Sequence, residues 1–183
     1  MTRAEAYNLL KTKIQNKNII KHSLAVEECL KNLARYFKED EEKWGMAGLL
    51  HDYDYLEMLD FPEKHGLVGA EELEKLGLDK EIGQAIRAHN EKTGAPRVSK
   101  LDKAIHCVDP MTGLIVAATL VLPSKKIGDL TVESILNRFE EKRFAAGANR
   151  EIIKKCSDLG LTLEQFTEIC LKAMQNISAE LEL

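Results

Sequence analysis

Apolar residues recur at helical spacing along most of the chain. The pattern predicts helices at residues 2–14, 18–37, 40–51, 66–76, 80–89, 99–109, 132–143, 150–158 and from 163 to the C-terminus. In the second segment Val26, Leu30, Leu33 and Phe37 form one stripe. Thr2 and Glu5, three residues apart before an apolar run, match a capping box. The run 114–122 carries enough β-branched residues for a buried strand, but no second strand candidate exists to pair with it. It reads as a separate buried helix between Pro110 and Pro123. The expected fold class is therefore all-α, with a core at about residues 18–122 and a helical C-terminal extension at about 123–183.

Composition narrows the partners. At 183 residues, 44% hydrophobic and 31% charged, the chain suits one well-cored domain. Its net charge of −4 argues against holding a nucleic-acid polymer by phosphate neutralisation. The run 114–122 is too short to span a bilayer, and the N-terminus lacks a signal-peptide pattern. Cys29, Cys107, Cys156 and Cys170 are widely separated and include no CxxC pair, which suits reduced thiols and a cytoplasmic location.

The chemistry lies in the histidines. His22 is four residues before Val26 on the inward stripe, His51 ends the stripe Trp44, Ala47, Gly48, and His89 ends the stripe Ile82, Ala85, Ile86. Asp109 follows Leu101 and Ile105 on an apolar face, Asp52 adjoins His51, and His65 precedes a helix. A single inward histidine is more often a hydrogen-bonded core residue than a ligand. A set of four histidines and two carboxylates aimed inward is different, because buried carboxylates repel one another and need compensation. A divalent cation resolves the electrostatics of all six groups together.

The order His22, His51-Asp52, His65, His89, Asp109 resembles the HD superfamily of metal-dependent phosphohydrolases. The strings KHSLAVEECL, GMAGLLHDYDY, KHGLVGAEEL, IRAHN and HCVDPMTG carry the likeness over about residues 18–115. LPSKKIGDL and KRFAAGANRE are similar to a subgroup of small stand-alone HD hydrolases. The resemblance implies an HD-type helical bundle. It implies one metal held by His22, His51, Asp52 and Asp109, and a second where His65 and His89 are also present, with Asp52 bridging. Fe, Mn, Co, Ni and Zn all suit such ligands. Tyr53-Asp54 follows the pair where many relatives have a Gly and then a Lys, so no role of that Lys carries over.

The implied reaction is hydrolysis of a phosphate mono- or diester, such as a nucleotide or related small phosphate, by a metal-activated water. Asp52, Asp54 and His106 are the candidates for catalytic roles. Asp54 orients a ligand or a water, or alternatively caps a turn. His106 donates a proton, or alternatively forms a solvated pair with Asp102. Arg87, Lys103, Lys142 and Arg143 are candidates for holding a substrate phosphate. Two rival readings stand beside this one: an HD-type di-iron oxygenase, and a non-catalytic nucleotide-binding or regulatory HD protein.

Overall fold

A computed structural model describes residues 1–183. The first helix, α1 (Arg3–Lys13), starts at the expected capping box: Glu5 N–H donates to Thr2 Oγ1 at 3.3 Å, and Thr2 N–H donates to the Glu5 carboxylate at 2.7 Å. Helix α2 (Lys17–Phe37) begins under Asn16 and ends at Lys38 in the left-handed conformation. Its stripe Val26, Cys29, Leu30, Leu33 is fully buried.

Helix α3 (Glu41–Leu50), capped by Asp40, is the central element, and every residue from Trp44 to Leu50 is buried. Gly48 is what lets it lie against α2. A Cβ there would fall 2.8 Å from both Cα and N of Glu27, and that backbone cannot yield as a side chain could. After α3 the chain runs through successive turns to Gly66, where φ is +89° and a Cβ would sit 2.7 Å from Ile86 O. Helices α4 (Leu67–Lys75) and α5 (Lys80–His89) follow, then a 3₁₀ turn (Glu91–Thr93).

Helix α6 (Lys100–Leu120) differs from expectation. The sequence predicts two helices separated at Pro110, but the structure has one helix of 21 residues with Pro110 inside it. Proline removes one N–H from the ladder and disfavours helix at the residue before it, at a cost of about 3 kcal/mol. Leu101, Ile105, Val108, Met111, Leu114, Ile115 and Ala118 are all buried along the continuous helix. Each large apolar side chain so buried contributes roughly 1.5–3 kcal/mol, so packing outweighs the break.

The remainder comprises α7 (Val132–Glu140), α8 (Arg150–Lys154), a 3₁₀ segment (Lys155–Leu159), α9 (Leu163–Asn176) and α10 (Ser178–Leu181). Helix α9 packs on α2, and α8 with its 3₁₀ continuation packs on α6. The buried apolar residues form one cluster of 44, running from Ala6 to Leu181. There are no strands, and no helix is long and apolar enough to cross a membrane.

Candidate metal centre

Five segments deliver the six expected ligands to one place. His22 comes from the first third of α2, His51 caps the C-terminus of α3 with Asp52 beside it, and His65 lies in the turn before α4. His89 is the last residue of α5, and Asp109 sits midway along α6. Two groups can each hold an ion: His22, His51 and Asp52, and Asp52, His65 and His89.

Asp52 faces both groups with different oxygens. Its Oδ2 lies 3.4 Å from His51 Nε2 and 3.6 Å from His22 Nε2, while its Oδ1 lies 3.1 Å from His65 Nε2 and 3.9 Å from His89 Nε2. Asp109 Oδ1 is 3.1 Å from His22 Nε2. His51 is completely buried, whereas the side chains of His22 and Asp109 are 26% and 33% exposed, so the centre opens on that side.

The outer nitrogens fix the tautomers. Nδ1–H of His51 donates to Gly48 O at 2.7 Å, that of His89 to Ile86 O, and that of His65 to Asp54 Oδ1 at 2.7 Å. His22 Nδ1 is 3.1 Å from Thr112 Oγ1, whose own hydrogen goes to Asp109 O at 2.9 Å, so His22 is the donor. Every imidazole therefore turns a bare Nε2 inward. His22 and His51 meet Nε2 to Nε2 at 3.2 Å, and His65 and His89 at 3.1 Å.

Lone pairs facing at that distance require a positive charge between them, which a proton or a metal ion can supply. Burial and the neighbouring His51 and His65 push His89 down to about 4. Burial opposes charge on His65 as well, but Asp52 and Asp54 raise it to about 9. Burial would raise the Asp52 carboxyl, yet the imidazoles of His51, His65, His22 and His89 hold it far below the usual carboxylate range. Four inward Nε2 atoms and two carboxylates form a donor set that fits divalent transition ions.

Asp54 links the His65 ring to the start of α4. Its buried carboxylate accepts from His65 Nδ1–H, from Gly66 N at 3.0 Å and from Gly69 N at 2.7 Å, so it fixes the His65 ring and holds the first turn of α4. His106 departs from both expectations. It is buried beneath the site rather than at its rim; its Nδ1–H donates to His89 O at 2.9 Å and its Nε2 lies 3.3 Å from Glu91 Oε1. No solvated Asp102–His106 pair forms, because Asp102 is buried and its Oδ2 accepts from Val98 N and Ser99 N at the start of α6.

A cavity of about 640 Å³ opens onto the centre. Arg87, Lys103, Lys142 and Arg143 do not line it. Arg87 is held in a two-pronged ion pair by Glu74 at 2.6 and 2.9 Å. Lys142 lines a separate recess with Arg150 and Lys154, and Arg143 is exposed.

Residues that sequence reasoning missed are Tyr55, Asn90 and Lys92 on the cavity wall, Asn149 and Ile152 from the C-terminal part, and the buried Thr112 behind His22. Thr112 lies three residues beyond Asp109 on the same helical face, and Asn90 adjoins His89, so both left a local signal. Asn149 and Ile152 left none, since their place depends on packing across the whole chain.

These features define the class. The HD domain profile matches residues 19–110, and the chain belongs to the HD-domain family, the domain of the metal-dependent phosphohydrolase superfamily. Among its relatives is the Ribonuclease Y of Lawsonia intracellularis, 31% identical over 139 residues, which are 74% of this chain and 26% of that protein. The Ribonuclease Y of Nitratidesulfovibrio vulgaris strain DP4 is 30% identical over 172 residues, 91% of this chain and 32% of the relative. The chain thus spans about a quarter to a third of the length of these curated relatives. No solved structure matches it.

Proposed function

We propose that this protein is a metal-dependent hydrolase of a phosphate mono- or diester, acting on a small phosphate compound such as a nucleotide. The observation that carries the reading is the inward set of four bare Nε2 atoms and two carboxylates, each imidazole fixed from behind, at the floor of an open cavity. His22, His51, Asp52 and Asp109 would hold one ion, and Asp52, His65 and His89 a second, drawn from Fe, Mn, Co, Ni or Zn. Such ions supply Lewis-acid charge that lowers the pKa of water and neutralises phosphoryl oxygens. The chain's own part is positional. Asp52 serves both groups through separate oxygens, while Gly48 O, Ile86 O, Asp54 and Thr112 keep each Nε2 directed inward.

The name Ribonuclease Y on the relatives supports a second reading, cleavage of an RNA phosphodiester. The small-phosphate reading is preferred because the net charge is −4 and one lysine supplies the only Lys or Arg on the cavity wall.

The test is metal analysis followed by incubation with nucleotides, sugar phosphates and a short oligoribonucleotide, using the wild type and Asp52→Ala. Phosphate or nucleoside release by the wild type, lost together with bound metal in Asp52→Ala, is expected. A fully active Asp52→Ala protein would sink the site assignment, and cleavage of the oligoribonucleotide alone would favour the RNA reading.

A further inference from the structure

The cavity that would receive a phosphate is walled by carboxylates. Besides Asp52 and Asp109 it has Glu91 at its edge, and an anionic substrate entering it meets repulsion wherever a cation does not intervene. No lysine directly follows the His51-Asp52 pair, since Tyr53-Asp54 stands there. Arg87 is tied to Glu74, and Lys103, Lys142 and Arg143 do not line the cavity. Lys92 is the one lysine or arginine that does.

The geometry points to Lys92 as the side chain that binds a phosphate oxygen of the substrate, an assignment that rests on the phosphohydrolase reading above. Lys92 makes no ion pair with any carboxylate within 4 Å, whereas the neighbouring Glu91 pairs with Lys155. Glu91 Oε1 lies 3.5 Å from Lys155 Nζ, which offsets part of its charge at the cavity edge.

The backbone that carries Lys92 is anchored on three sides. Its own N–H donates to Asn90 Oδ1 at 3.0 Å, and Asn90 Nδ2 donates to Pro62 O at 2.7 Å and His65 O at 3.0 Å. Thr93 Oγ1 donates to Arg87 O at 2.8 Å, and His106 grips His89 O beneath. The turn is thereby locked to the two segments that carry His65 and His89. From this fixed base the four-carbon stem of lysine gives its ammonium freedom to follow a phosphate, with three donors available. His106, buried and out of reach of the cavity, acts as a positioning residue for this turn.

The test compares metal-loaded wild type, Lys92→Met and Lys92→Arg by calorimetric binding of inorganic phosphate and by steady-state kinetics on the best phosphate ester. Lys92→Met should weaken phosphate binding and raise KM about 10–100-fold, with kcat and metal content changed little, while Lys92→Arg recovers most of the loss. Lys142→Met, altered outside the cavity, should match the wild type. Equal phosphate affinity in wild type and Lys92→Met, or no phosphate binding by the wild type, overturns the assignment. If phosphate binding depends on Lys92 but no phosphate ester is cleaved, the binding role stands and the hydrolase reading fails.

Discussion

Asp54 shows how much one buried carboxylate can organise. It lies two residues beyond Asp52 and fixes the ring of His65 and the first turn of α4 together. Both alternatives posed by the sequence, ligand orientation and turn capping, were legible from its position after the His51-Asp52 pair. That one carboxylate meets both the His65 ring and the N–H groups of Gly66 and Gly69 was not, because it depends on where those glycines fall after the intervening turns. An amide cannot replace it, since an asparagine has one acceptor oxygen and would aim an NH₂ group at backbone donors. Asp54→Asn should therefore cost about 1–3 kcal/mol of stability, the penalty of buried donors left unpaired. It should also reduce ion occupancy of the His65–His89 group while sparing His22 and His51. Urea unfolding combined with metal stoichiometry checks both parts, and unchanged stoichiometry would remove Asp54 from the site.

Among the elements, helix starts were the most legible features, because the side chains that cap them sit in the sequence next to the helices they start. Thr2, Asp40 and Ser99 each accept from a backbone N–H where the pattern begins. Pro110 misled the reading for a physical reason: local propensity counts the lost hydrogen bond, while the burial that retains the helix comes from distant residues. Gly48 is a case in which close packing and ligand placement meet in one residue. It brings α3 against the backbone of α2 at Val26 and Glu27, and its carbonyl holds His51 Nδ1, so the approach that its missing side chain allows also sets the distance between His22 and His51. Gly48→Ala places a methyl carbon 2.8 Å from backbone atoms and forces the helices apart. A loss of about 1–3 kcal/mol is expected from such overpacking, with weaker metal binding by the His22–His51 group. Thermal unfolding with and without added metal reads both effects, and a variant whose metal affinity equals that of the wild type would show that the α2–α3 spacing does not govern the site.

At the scale of the molecule, the order of ligands was legible while the cavity around them was not. His22, His51, His89 and Asp109 stand out because each ends or occupies an apolar stripe, with Asp52 adjoining His51 and His65 preceding a helix, whereas the wall residues Asn149 and Ile152 reach the same cavity from the far end of the chain. Residues 123–183, a helical extension in the sequence pattern, pack against the core helices α2 and α6. Cys170 on α9 meets Cys29 on α2, whose Sγ–H donates to Cys170 O at 3.6 Å. Ile153 and Cys156 are buried where α8 and its continuation pack on α6. Removing residues 123–183 would strip cover from α2 and α6, the two helices that carry His22 and Asp109. Burying one large apolar side chain contributes roughly 1.5–3 kcal/mol, and Ile135, Phe139, Phe166, Leu171 and Met174 would all be lost from the buried cluster. Against a net stability of about 5–15 kcal/mol, a chain ending at residue 122 should not retain a cooperative fold. Circular dichroism should show reduced helix content without a sharp thermal transition, accompanied by binding of an apolar dye and by loss of metal. A cooperative transition in the shortened chain, with its metal retained, would instead show that the ligand-bearing helices hold one another in place and that the C-terminal helices serve only the cavity wall.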